Sequence, residues 1–259
     1  MEVRVPEVFT KYISSFSGCM GGNPGAPIWM CIDHSCRTPD VIAPSFFDTP
    51  VEDISGLQKG LLASCPVSSS IAALVNDIVG QPAEDVGKVF NENDPKAQSI
   101  LTLAVSPFSF GDNPVQNWKA EKVIEVDGKK LSFAEYTGLP EFKDYWDFLI
   151  AQRGKVFAEA AKKYAPKVII CEGINKYKEY FKLWQADLTN VRAHDAFYYA
   201  PIIGMDGKPV GIVFATDLFG TSNGIDNTYH IERIALQIRH FAVAELGDKV
   251  CGSFVGPNF

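Results

Sequence analysis

Five short apolar segments constrain the fold of this chain more than any other feature of its sequence. They lie at residues 28–32, 99–105, 168–171, 196–203 and 211–215. Runs of this length are typical of buried β-strands, and amphipathic helical patterns lie between several of them. The clearest helical patterns are at 66–78, 140–164 and 228–246. This alternation predicts an α/β fold with three layers, α/β/α, around a central, mostly parallel sheet of four to five strands.

The length and apolar content of the chain set further bounds. A chain of 259 residues commonly forms one domain in α/β proteins. No run approaches the roughly 18 consecutive apolar residues of a membrane span, and residues 1–16 lack the features of a secretory signal. We therefore expect a cytoplasmic protein that does not associate with a membrane.

Charge and cysteine spacing narrow the possible partners and cofactors. The net charge of −7 argues against a broad, non-specific nucleic-acid surface, although it leaves room for a local contact. The six cysteines include no pair with the spacing of a metal or iron–sulfur site. We therefore expect no metal and no other cofactor.

Polar residues follow three of the predicted strands. Asp33 and His34 end the first strand, the segment 106–113 follows the second, and the loop 216–227 follows the fifth. Open α/β sheets bind ligands beyond the carboxyl ends of their strands. These three segments are therefore the candidate functional site.

The order of these segments resembles that of the uracil-DNA glycosylase superfamily. Pro107-Phe108-Ser109-Phe110 is similar to the base-stacking segment of that family, and Lys-Val-Ile-Ile-Cys-Glu-Gly at 167–173 to its third strand and turn. Residues 222–227 are similar to the late loop of the mismatch-specific branch. The resemblance covers the order of elements over most of the chain. It implies a single glycosylase-like domain over 1–259, which hydrolyses the N-glycosidic bond of a deaminated or modified base in single- or double-stranded DNA.

Two segments are similar to the first motif of the family, which positions the attacking water. Gly21-Gly22-Asn23-Pro24-Gly25 resembles Gly-x-Asn-Pro-Gly, in which Asn23 would hold the water, but no apolar strand precedes it. Asp33 stands where the classical branch keeps its water-activating aspartate, although the Gly, Gln and Pro of that motif are absent. Strand geometry favours Asp33 as the catalytic residue, with His34 beside it, and leaves Asn23 as the alternative.

The resemblance also implies how the base is held. Phe108 or Phe110 would stack on it, and Asn113 or Asn175 would read its edge. His194 or His230 could hydrogen-bond the departing base. The two phenylalanines alternate at period two, so the competing interpretation is that both face the core.

The expected DNA contact is a glycine-rich loop before the last helix. Its backbone amides can bind phosphates without net positive charge. The residues assigned to this contact are Gly220, Ser222, Asn223, Gly224 and Asn227.

Two other functions stay open alongside the DNA glycosylase. One is a catalytically inactive, glycosylase-like binding module, and the other is a hydrolase of nucleosides or other small molecules. A basic rim near the strand ends would favour the DNA glycosylase, and a closed, uncharged pocket would favour the small-molecule hydrolase. The residues that would form the rim are Lys119, Lys122, Arg153, Lys176 and Arg192.

Overall fold

The computed structural model describes residues 5–35, 40–57, 68–79, 89, 99–194, 196–217 and 228–247. The strands are β1 (Gly21–Gly22), β2 (Ile28–His34), β3 (Ile100–Ser106), β4 (Ile124–Val126), β5 (Lys129–Leu131), β6 (Val168–Glu172), β7 (Arg192–His194), β8 (Phe197–Ile203) and β9 (Pro209–Thr216). The helices are α1 (Glu7–Ile13), α2 (Ser68–Val79), α3 (Pro114–Ala120), α4 (Phe133–Thr137), α5 (Phe142–Tyr164), α6 (Tyr177–Leu183) and α7 (Thr228–Leu246). None of the helices in these ranges combines the length and the apolarity that a membrane span needs.

One mixed sheet organises the described part of the chain. Seven strands lie in the order β1-β3-β2-β6-β9-β8-β7, and β4 pairs with β5 in a separate hairpin. The four central strands β3, β2, β6 and β9 are parallel, whereas β1, β8 and β7 pair antiparallel with their neighbours. The predicted α/β class is confirmed.

The predicted number of four to five strands is wrong, because the sheet has seven. β1 consists of two glycines inside a stretch rich in glycine and proline, and β7 has only three residues. Strands this short carry too few side chains for an alternating pattern, so periodicity cannot detect them. The sheet is mixed because β8, one of the predicted strands, pairs antiparallel with β9, as do both short strands with their neighbours.

Both faces of the central strands are buried, by two different groups of side chains. Cys31, Leu103 and Ile169 pack on one face with aromatic residues of α1, α5 and α6. Their chain neighbours Met30 and Ile170 pack on the other face with residues of α2 and α7. This alternation explains why the strands read as continuous apolar runs, since neither face meets solvent.

Arg153 of α5 is a buried cation at the junction of three segments. Its side chain is fully buried and donates hydrogen bonds to the carbonyl oxygens of Ile13 and Val105, each at 2.9 Å, and to those of Ser17 and Ala104. The guanidinium group therefore links the end of α1, the end of β3 and the middle of α5. No carboxylate contacts it among the described residues, so the carbonyl oxygens, with the Cys19 sulfur at 3.9 Å and the Phe157 ring at 5.4 Å, compensate the charge.

We expect Arg153→Met to destabilise the fold, because it leaves several buried carbonyl oxygens without a donor. The free energy of unfolding should fall by about 3 kcal/mol or more, measured by urea denaturation. Lys119→Met is the matched control, because it removes a cation whose ion pair with Glu141 is exposed, and it should cost about 1 kcal/mol or less. Equal losses in the two variants would contradict this role for Arg153.

Candidate functional site

Three carboxylates follow the ends of neighbouring parallel strands. Asp33 is the second-last residue of β2, Glu172 is the last residue of β6, and Asp217 directly follows β9. Cys31 pairs in register with Cys171, and Glu172 with Thr216, so the three strands finish at the same edge of the sheet. This is the edge at which open α/β sheets bind ligands.

Asp33 is held by two donors from the segment that follows β6. The Lys176 ammonium forms an ion pair with Oδ2, and the Tyr180 hydroxyl donates to Oδ1. The Asp33 side chain is 23% exposed, and Tyr180 is fully buried. The carboxylate is therefore fixed in one orientation while part of it still faces solvent.

Tyr180 connects the two strands as well as holding Asp33. Its hydroxyl also lies against the carbonyl oxygen of Glu172. Burial raises the pKa of Tyr180 well above its ordinary value, and the negative charge of Asp33 acts in the same direction. The phenol therefore stays protonated and acts as a donor at neutral pH.

Glu172 lies in a different environment from Asp33. Burial, then the charge of Asp33, raises the pKa of its carboxyl group to about 7, Lys176 opposes this shift, and Asp217 adds to it. Among the described residues, no hydrogen bond or ion pair holds its side-chain oxygens. Glu172 can therefore exchange a proton near neutral pH, which a general acid or base requires.

The pleat of the strands sets Asp33 and Glu172 on opposite faces of the sheet edge. Asp33 follows Cys31 at period two, on the face covered by α5 and α6. Glu172 follows Ile170, on the face covered by α2 and α7. A molecule bound across this edge would have a pinned carboxylate on one side and a proton-exchanging carboxyl group on the other.

Asp217 fixes the turn that carries the lysine. Its Oδ1 accepts a hydrogen bond of 2.8 Å from the backbone N–H of Ile174, the first residue of the 3-10 turn Ile174–Lys176. Lys176 ends that turn, and its ammonium lies 5.0 Å from the ring centre of Trp146 on α5. The ammonium thus contacts both an aromatic face and a carboxylate.

Asn23 and Asp33, the two alternatives for the first motif, lie at opposite edges of the sheet. The backbone N–H of Asn23 donates to Ile100 at the start of β3, and its Oδ1 accepts from Gly25 at 2.9 Å. Asp33 lies five residues along β2 from Ile28, the partner of Ile100, which is roughly 16 Å. Asn23 therefore stabilises a turn far from Asp33, and the structure does not bring the two alternatives into one site.

The predicted base-stacking residues lie in the core. Phe108 is fully buried and Phe110 is 3% exposed. Both rings pack against Phe133, at centroid distances of 4.9 Å and 5.1 Å. Neither ring has an exposed face, which favours the competing interpretation that both belong to the core.

The remaining predicted site residues are exposed on turns and strand ends or lie outside the described residues. Asn113 is exposed and caps α3, because its Oδ1 accepts from the backbone of Gln116 at 3.2 Å. His34 is exposed at the end of β2, and its Nδ1 lies 3.2 Å from the carbonyl oxygen of Ser35 rather than against Asp33. Asn175 lies exposed in the turn at the site. The predicted DNA contacts Gly220, Ser222, Asn223, Gly224 and Asn227, and the side chain of His230, lie outside the described residues.

His194 lies on β7, at the far end of the sheet. Its ring stacks on Phe197 at a centroid distance of 5.1 Å. Three strands separate β7 from β2, so roughly 19 Å lies between His194 and the site at Asp33. His194 therefore has no contact with the three carboxylates.

The cations of the expected basic rim contact other groups of the chain. Lys119 pairs with Glu141, Lys122 with Glu135, and Arg192 with Glu245. Lys176 pairs with Asp33, and Arg153 is buried under the sheet edge. Each cation of the proposed rim therefore already has a partner within the chain.

Sequence reasoning did not select Glu172, Tyr180 or Trp146 for the site, and it included Asp217 only as part of the loop 216–227. The strand-end rule that selected Asp33 also applies to Glu172 and Asp217, since each follows an apolar run. Tyr180 and Trp146 lie in amphipathic helices, where the sequence does not distinguish a site-facing aromatic residue from a core residue. Within the described ranges, no group of three or more potential metal-ligating side chains comes together.

Comparisons of the chain with protein-family models, with curated proteins and with solved structures give no match. The resemblance to uracil-DNA glycosylases therefore stays a prediction, carried by the residues quoted for it.

We expect Glu172 to make stability depend on pH in a defined direction. Because its pKa is raised from 4.5 to about 7 in the fold, the folded chain binds the proton more tightly, and stability falls as pH rises through that range. Relative to Glu172→Gln, the wild type should lose at most about 3 kcal/mol of unfolding free energy between about pH 4.5 and about pH 8. Urea denaturation at both pH values measures this difference.

The matched control for this measurement is Glu159→Gln, at an exposed position of α5. Its stability relative to the wild type should change little over the same pH range. A wild type that gains stability relative to Glu172→Gln as pH rises would contradict the assignment.

Proposed function

We propose that the protein is a hydrolase that cleaves the N-glycosidic bond of a nucleoside at the edge formed by β2, β6 and β9. The observation that carries the proposal is the pair Asp33 and Glu172, two carboxyl groups with different environments on the two faces of one sheet edge. Pairs of carboxyl groups with divergent proton affinity are typical of acid–base hydrolysis. The type of bond comes from the resemblance to glycosylases.

Asp33 would stabilise the positive charge that develops on the sugar. The C–N bond breaks with oxocarbenium character, and a fixed carboxylate close to the anomeric carbon lowers the energy of that state. Lys176 and Tyr180 occupy one oxygen each, so the group does not have to reorient during the reaction. Such preorganisation is the main source of electrostatic catalysis.

Glu172 would carry the proton in the same reaction. A carboxyl group with a pKa of about 7 is present in both protonation states at neutral pH. It can therefore protonate a departing base or accept a proton from the attacking water. No other described side chain at this edge combines a raised carboxyl pKa with unbound oxygens.

The pairing of the basic residues supports a small substrate rather than a nucleic acid. A protein that binds DNA needs cations or backbone amides free for phosphates. Of the five cations expected to form the basic rim, four form ion pairs with carboxylates of the chain and Arg153 is buried. Base excision from DNA, which the resemblance implies, uses the same chemistry and is the second arm of the experiment below.

We also propose that the architecture is three-layered, α/β/α, as a single glycosylase-like domain. The two separate groups of buried side chains on the two faces of the sheet support it. Each group includes residues from helices as well as from strands, which is the packing that three-layer α/β folds use.

We expect Asp33→Asn to lower the rate of base release by about 10²–10⁴, because it removes the fixed negative charge beside the anomeric carbon. The measurement is chromatographic detection of the free base, with a panel of nucleosides in one arm and oligonucleotides carrying uracil or other modified bases in the other. Asp112→Asn, at an exposed position after β3, should retain the wild-type rate.

The outcome of the two arms decides between the candidate functions. Release from nucleosides that Asp33→Asn abolishes supports the proposal, and release from oligonucleotides alone would replace it with a DNA glycosylase. No release in either arm would leave the binding module as the better interpretation.

A further inference from the structure

We infer that the base of the substrate carries a fixed positive charge, as in N-alkylated purine nucleosides and N-ribosylated pyridinium compounds. The inference rests on the proposed function, because it takes Asp33 and Glu172 as the reacting pair. It adds the chemical class of the substrate, which neither the fold nor the resemblance specifies.

The first observation is the balance of charge at the strand ends. Asp33, Glu172 and Asp217 are acidic, and Lys176 is the cation that the described residues place among them. Their mutual repulsion affects Glu172: burial raises its pKa most, and the negative charges of Asp33 and Asp217 raise it further. A site with excess negative charge attracts cations and repels phosphates.

The second observation is that this edge already holds a cation on an aromatic face. The Lys176 ammonium lies 5.0 Å from the Trp146 ring centre and pairs with Asp33 on its other side. An aromatic ring opposite a carboxylate is the arrangement that binds cationic ligands. The Lys176 side chain is 44% exposed, so this arrangement is open to solvent while Lys176 stays paired with Asp33.

A second pair of aromatic rings borders the same edge. Tyr177 follows Lys176 directly, and its ring stacks on that of Tyr198 at 4.1 Å and 16°. Tyr198 pairs with Ala215, two residues before Asp217, and both tyrosines are partly exposed. Half-buried aromatic side chains are therefore present at the site, although Phe108 and Phe110 are not among them. Such rings can bind a planar base.

The chemistry of a cationic base fits the groups available. When the C–N bond breaks, its electron pair passes to the ring nitrogen and neutralises the base, which leaves without needing a proton. The water oxygen bonds to the anomeric carbon, and its proton passes to ionised Glu172. The proton acceptor, the leaving group and the stabilising carboxylate are thus all accounted for without a further donor.

Binding at about pH 6 tests the charge preference without requiring hydrolysis. We expect 7-methylguanosine to bind about tenfold more tightly than guanosine in isothermal titration calorimetry, because the two differ by one methyl group and one positive charge. Asp217→Asn should remove several-fold of that preference, read as the ratio of the two affinities, which a general loosening of the turn at Ile174 would leave unchanged. Asp206→Asn is the control, because Asp206 lies in the exposed turn between β8 and β9, at the other end of the sheet.

The pH dependence of hydrolysis tests the direction of proton transfer. Nicotinamide riboside carries a fixed charge at every pH, so its hydrolysis should accelerate as pH rises through about 7 and Glu172 ionises. The groups that set this midpoint are Asp33, Lys176 and Asp217. Glu172→Gln should lower the rate and abolish the rise.

The outcomes separate this inference from the proposed function. Equal affinity for the two guanosines, with neutral nucleosides hydrolysed as fast as cationic ones, overturns the inference and retains the hydrolase. Selective binding of the cation without hydrolysis retains the ligand class and overturns the hydrolase. No binding of 7-methylguanosine overturns the inference.

Discussion

The buried guanidinium group of Arg153 is the interaction on which the rest of the structure depends. It binds carbonyl oxygens at the end of α1 and at the end of β3, and so fixes α5 against the sheet. At the next residue, Gly154, α5 lies against the end of α6: a Cβ there would be in ordinary van der Waals contact with the carbonyl oxygen of Leu183, at 3.4 Å. The helix that carries Tyr180 therefore packs on the helix that Arg153 fixes.

The site depends on two carboxyl groups that follow similar apolar strands in the sequence but lie in different environments. Asp33 receives a hydrogen bond on each oxygen, whereas Glu172 is half-buried with no donor among the described residues. The same segment, from the turn at Ile174 through α6, supplies both donors to Asp33. Catalysis by this edge would therefore follow from how that segment folds back over β2, rather than from either carboxyl group alone.

The aromatic residues show how sequence reasoning succeeded and failed at the site. Phe108 and Phe110 follow a strand, which selected them for base stacking, yet both rings fill the core around Phe133. Trp146 fits the apolar pattern of the helix predicted at 140–164, yet it borders the site beside Lys176. The periodicity of apolar residues indicates that a side chain points away from solvent. It does not distinguish a side chain in the packed core from one at the partly exposed edge of the sheet.

The sequence by itself determined the α/β class, the five longer strands and the strand ends at which polar residues collect. Those features follow from local periodicity and from the single rule that parallel strands finish together. The tertiary structure alone decided that the sheet has seven strands, that Asn23 lies at the edge opposite Asp33, and that Lys176 and Tyr180 hold Asp33. The positions of β1 and Asn23 and the contacts of Asp33 depend on residues more than 70 positions apart in the chain, which no local pattern of residues records. β7 pairs with its chain neighbour β8, and its three residues are too few to show a pattern.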